Sequence, residues 1–142
     1  MTKNVQVSNI MAKDVVKLNL TDSLTDAEKL FKDFRIKHLP VISGGKLVGM
    51  LSYTDLIRIS LAETTDEDDE VVDMTVYNMF SIEQVMVKDV ITIQADLSVR
   101  DAAEIIMEKG FRSLPVMEGN VLIGMLTSTD LIKYLIKQCD KE

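Results

Sequence analysis

Apolar residues follow two rhythms along this chain, and the rhythms come in the same order twice. The runs DVVKLNL (14–20) and DVITIQA (89–95) are short and β-branched, and each predicts a first strand. Leu24, Ala27, Leu30, Phe31 and Phe34 then recur at helical spacing, as do Val99, Ala102, Ala103 and Ile106. Both helices open on Ser-x-x-Asp (Ser23/Asp26 and Ser98/Asp101), the signature of an N-terminal cap, and Gly110 is placed to stop the second. Next come HLPVISGGKLVGML and SLPVMEGNVLIGML, each two apolar runs joined by a two-residue turn, Gly44-Gly45 or Gly119-Asn120. A second helix follows in each copy, YTDLIRISLA or STDLIKYLIKQ. Each copy therefore predicts β-α-β-β-α, an α+β fold built of α/β-type repeats.

Shifting the chain by 75 residues lays 7–57 on 82–132 without a gap, and 19 of the 51 paired positions are identical. Both prolines, Pro40 and Pro115, are partners under that shift. A unit of this length buries little by itself, so the two are expected to pack as a pair about a pseudo-twofold axis. The expected division is repeat 1 at 1–62, an acidic connector with a short helix at 63–81, and repeat 2 at 82–142. Glu63 to Asp73 carries the acidic run, which predicts a solvated connector. MTVYNMFSIEQVM regains apolar spacing and predicts the short helix.

Charge and composition narrow the function classes. A net charge of −7 offers no basic face for a nucleic-acid polymer. No apolar run reaches the roughly 20 residues of a membrane span, and the N-terminus has no signal-peptide core. Cys139 is the one cysteine, which fits a free thiol in a reducing cytoplasm, and His38 is the one histidine. With one of each, neither a His/Cys metal site within one chain nor a His-based triad is expected. Nine methionines read as core filler. The residues assemble no set of nucleophile, base and oxyanion donors, so the chain is not expected to be an enzyme, and no cofactor is required.

Candidate chemistry gathers at GMLSYTDLI (49–57) and GMLTSTDLI (124–132). Ser52 and Thr127 stand where a strand becomes a helix, with Asp55 and Asp130 three residues on. One reading is a helix cap. The other uses the same geometry for a ligand: exposed helix amides attract phosphate, a hydroxyl bonds phosphate or sugar, and a carboxylate accepts from a ribose diol. Gly49 and Gly124 would then let a flat base approach the strand. Lys37 and Arg112 sit three residues before the paired prolines and could meet an anion, with His38 beside the first; solvated surface charge is the alternative.

The paired M-x-K-D-V, LPV and G-h-h-[ST]-x-x-D elements resemble those of CBS domains, and the resemblance covers both repeats. It implies a pseudo-symmetric pair with two clefts between the repeats, and pairs that dimerise into a disc. It further implies AMP, ADP, ATP or S-adenosylmethionine as ligand. By motif position, Asp55 and Asp130 are similar to ribose-binding acids, and Ser52 and Thr127 to hydroxyls on ribose or phosphate. Lys37 and Arg112 match basic phosphate-binding positions. Val16, Ile91 and Thr92, with the segments around Leu39 and Leu114, resemble the adenine walls.

The resulting expectation is a non-catalytic sensor of an adenosine-containing ligand, cytoplasmic and homodimeric. The repeats run to within a few residues of both ends, which predicts a separate target protein. The alternative is a ligand-free module for dimerisation or docking on an enzyme or transporter.

Overall fold

A computed structural model describes residues 5–63 and 77–141. It contains two three-stranded sheets, ordered β1-β2-β3 and β4-β5-β6. In the first, β1 (Leu18–Asn19) runs parallel to β2 (His38–Ser43), which pairs antiparallel with β3 (Lys46–Ser52). Helix α1 (Leu24–Phe34) joins β1 to β2, and α2 (Tyr53–Glu63) leaves β3 without a loop. A short α3 (Ile82–Val85) precedes the second copy: β4 (Ile93–Gln94), α4 (Val99–Lys109), β5 (Ser113–Glu118), β6 (Val121–Thr127) and α5 (Ser128–Asp140). The β-α-β-β-α order agrees with the sequence reading, while the short helix at Ile82–Val85 lies past the 63–81 bounds expected for it. Of the acidic run from Glu63 to Asp73, Glu63 ends α2 and 64–73 lie outside the described residues.

The first strands are shorter than the sequence pattern predicts, with two residues each in the ladder. Ahead of β1, Val16 packs on the core instead of pairing, whereas Ile91 ahead of β4 is exposed. The caps form as the sequence demands. Ser23 and Asp26 close a reciprocal capping box at α1, and Ser98 Oγ accepts from the Asp101 amide at 3.0 Å. The Ser23 backbone and hydroxyl hydrogen bonds hold the Asp26 carboxyl below its ordinary range. Gly110 ends α4 in the left-handed conformation (φ 72°), and Arg35 does the same for α1 at φ 54°. Both hairpins turn in two residues. Gly44 and Gly45 both have positive φ, whereas Gly119 alone does in the second turn, which the Gln94 side-chain amide brackets with two hydrogen bonds.

The compact units cut the chain elsewhere than the repeats do. One comprises Val16–Val90; the other joins Met1–Val15 to Ile91–Glu142. The leading segment of each sequence repeat is thus housed with the body of the other. In the first unit Ile82 is fully buried and Met86 nearly so, in a core with Leu18, Leu24, Leu39, Val41, Leu51 and Leu56. In the second, Val7 is fully buried among Ile93, Ala102, Leu114, Val116 and Leu126. Val7 and Ile82 are partners under the 75-residue shift. Backbone bonds fasten each segment: Val87 and Met50 exchange two at 2.9 Å, and Ala12 and Met125 exchange two at 2.9 and 3.0 Å. Each sheet so gains a one-bridge extension beyond β3 or β6.

Candidate functional site

Strand pairing brings the motif residues of each copy to one end of its sheet. His38 is in register with Ser52, and Ser113 with Thr127. The first helical amide then reaches back across the hairpin: Tyr53 N donates to the Lys37 carbonyl at 2.9 Å, and Ser128 N to that of Arg112 at 3.0 Å. A basic residue, a hydroxyl and an acid are therefore fixed around one helix N-terminus in each unit. Parallel pairing joins Leu18 to Val41 and Ile93 to Val116, and Val16, Ile91 and Thr92 lie just ahead of these paired residues, outside the ladders. Val16 is half-buried, while Ile91 is 40% exposed.

The acids differ between the copies. Asp130 closes a capping box: its Oδ2 accepts from the Thr127 amide at 2.9 Å while Thr127 Oγ1 accepts from the Asp130 amide at 3.1 Å. One carboxylate oxygen is thereby fixed and the other is left for a further donor. Ser52 Oγ caps α2 by accepting from the Asp55 amide at 3.0 Å, but the Asp55 carboxylate turns to Arg58, with Oδ1 to Nη1 at 3.5 Å. The hydroxyl cap therefore forms at both helices, and the returned carboxylate bond at α5 alone.

Tyr53 and Arg58, which the repeated motif does not single out, touch two of the candidate residues, Lys37 and Asp55. The Lys37 ammonium lies 5.3 Å from the Tyr53 ring centroid, and the Phe31 ring meets Tyr53 edge-on at 5.4 Å. Such a cation–π contact contributes about 0.5–1 kcal/mol at an exposed position. The signal in the sequence was the unmatched residue inside the motif, tyrosine at 53 against serine at 128.

The expectation for the two glycines is corrected. A Cβ on Gly49 would land on the Met86 sulfur and 2.9 Å from its Cγ. On Gly124 it would meet the Met11 sulfur and, at 2.9 Å, the Ala12 carbonyl oxygen. The missing side chains make room for the exchanged leading segments, not for a base. Met11 and Met86, written as core filler, are the residues that occupy the space.

Among the described residues no cluster of His, Cys, Asp and Glu could hold a metal ion, and no helix is long and apolar enough to cross a membrane. The second unit carries one more feature. A cavity of about 400 Å³ opens between α4 and α5, lined by Val99, Ala103, Leu131, Ile132, Tyr134 and Leu135. The Tyr134 hydroxyl is buried there without a hydrogen-bond partner among the described residues. Helix α5 buries none of its residues fully, although Ile132, Leu135 and Ile136 stand 54–61% exposed.

Comparison with known proteins agrees with the fold. The CBS domain family model matches residues 7–62 and 82–137. Protein MJ1232 of Methanocaldococcus jannaschii is 30% identical over 133 residues, which are 93% of this chain and 40% of that protein. The chain thus spans less than half of that relative's length. The crystal structure of the CBS domain pair of protein MJ0100, in complex with 5′-methylthioadenosine and S-adenosyl-L-methionine, superposes with a TM-score of 0.77. Identity is 25%, with 94% of this chain and 98% of that one covered. CBSX2 in complex with AMP also gives 0.77, at 23% identity and with 94% and 97% covered.

Proposed function

This chain belongs to the CBS domain family, and from that premise we propose that it is a non-catalytic regulatory module binding an adenosine-containing ligand at the two helix N-termini. The observation that carries the reading is the matched arrangement in both units. Lys37, Ser52 and Asp55 surround the start of α2, and Arg112, Thr127 and Asp130 surround the start of α5. The helix dipole favours an anionic group there, although the Tyr53, Asp55, Ser128 and Asp130 amides are already bonded within the fold; the basic residue adds a full charge, and the acid accepts from a ribose diol. His38 lies in register with Ser52, within the same group, and Val16, Ile91 and Thr92, just ahead of the paired first-strand residues, supply wall positions. MJ0100 and CBSX2 were crystallised with adenosine-containing ligands, which supports AMP, ADP, ATP or S-adenosylmethionine as the compounds to try.

Binding regulates by favouring one arrangement of the protein over another, and the target it acts upon is a separate protein or a further part of the same one. The test is calorimetric titration of the stripped protein with those four compounds. Saturable binding of at least one is expected. Asp130→Asn keeps an acceptor for the cap but removes the charge. It should weaken binding at its own site about tenfold or more, the worth of a charged hydrogen bond, while the melting temperature stays close to the parent's. No heat from any compound would sink the ligand reading and favour a docking module.

A homodimer through the α4–α5 face is the second part of the proposal. Ile132, Leu135 and Ile136 form an exposed apolar stripe of the kind that marks an interface, and a second copy would cover it. Leu135→Asp is expected to convert a dimer to a monomer in light scattering after size exclusion. A parent that runs as a monomer at all concentrations would overturn it.

A further inference from the structure

The two site groups are built from matched residues, yet their charges are committed differently. In the first, the Lys37 ammonium rests against the Tyr53 ring, and Tyr53 is itself braced by Phe31. The acid of that group, Asp55, is engaged by Arg58. In the second, serine replaces the tyrosine, so Thr127, Ser128 and Thr129 place three hydroxyls in a row at the start of α5. Arg112 is exposed, and among the described residues no carboxylate pairs with it and no ring holds it. Asp130 is locked in its capping box with one oxygen to spare.

We infer that Tyr53 sets the ligand preference of this protein. By holding Lys37 it leaves the first group poor in phosphate affinity, so the phosphorylated ligand goes to the Arg112–Thr127–Asp130 group. The inference rests on the adenosine-ligand reading above and adds which group takes the charge. Two physical differences point the same way. A phosphate at the first group must draw Lys37 off the ring, and a ribose there must compete with Arg58 for Asp55. At the second group the guanidinium has no ion pair or ring contact among the described residues and is suited to two-point binding of a phosphate, and the carboxylate is already oriented. An uncharged adenosine gains nothing from Arg112 and does not share the preference.

The experiment is titration of the full chain with AMP and with adenosine, read as stoichiometry per chain and affinity. The parent is expected to bind one AMP tightly, and Arg112→Ala to weaken that site about tenfold or more. Its affinity for adenosine should change far less. Tyr53→Ser, which puts the second group's residue into the first, is expected to tighten the weaker AMP site about two- to fivefold. Tyr53→Phe retains a ring under Lys37 and should leave that site as weak as in the parent, which separates the ring from its hydroxyl. Two equal AMP sites in the parent would overturn this inference and leave the ligand reading standing. So would a tight site that survives Arg112→Ala. Failure of both AMP and adenosine to bind would bring down the two together. Should Tyr53→Ser melt before the titration, Tyr53→Leu, which fills the space without a ring, takes its place, and a first site left as weak as the parent's by either variant would overturn the inference.

Discussion

Gly124 and Gly49 occupy the same place in the two copies, but their surroundings differ by one atom that matters. An added Cβ meets a methionine side chain at both, and at Gly124 it also meets the Ala12 backbone carbonyl. A methionine can swing aside, whereas that carbonyl is held by the bridge to Met125. Gly124→Ala is expected to destabilise by about 1–3 kcal/mol, as overpacking does, and Gly49→Ala by less. Urea denaturation of the two variants measures the difference, and equal losses would place the strain on methionine alone. That these glycines were special was legible in the sequence, because both copies keep them. What fills the space was not, since Met11 is remote from Gly124 along the chain and no periodicity links them. Tyr53 escaped for the opposite reason. It sits within the repeated motif, but a residue that the second copy replaces by serine leaves no mark in the self-alignment, although it contacts Lys37 and Phe31.

Local elements were read most accurately where their signals act within four residues. The caps at Ser23, Ser98 and Thr127 and the two-residue turns at Gly44 and Gly119 all form. The first strands were read too long, because β-branched runs report burial as well as pairing. Val16 is apolar to pack on the core, outside the ladder. Helix ends also expose an inequality between the copies. Arg35 holds the left-handed conformation that Gly110 takes in the second copy. A Cβ costs about 1–2 kcal/mol in that region, so Arg35→Gly should stabilise the protein, by up to about 1 kcal/mol after the added entropy of the unfolded glycine. Chemical denaturation reads this directly. A loss of stability would mean that the arginine side chain contributes more than its backbone strain costs.

At the scale of the whole molecule, repeats and folded units are different divisions of one chain. Self-alignment finds the repeats because residues correspond, and it is silent on which body a segment joins. That is settled by burial: Ile82 and Met86 complete the core over β1–β3, and Val7 completes that over β4–β6. A single cut among residues 64–75 would therefore separate two fragments that each hold part of both units. With a specific protease site placed there, the cleaved protein is expected to elute as one species and to come apart only in denaturant. Two species under native conditions would show that the leading segments contribute little to holding the units.

The exchanged leading segments bear on how such a chain could arise. A lone ancestral repeat would have had an unfilled core position where Ile82 now lies and a spare segment of its own. A second identical molecule answers both needs by giving its segment and accepting the other. Joining the two genes end to end turns that encounter from bimolecular to intramolecular, at an effective concentration on the order of millimolar for a short tether. Duplication would then have made permanent a partnership that each half already required in order to fold.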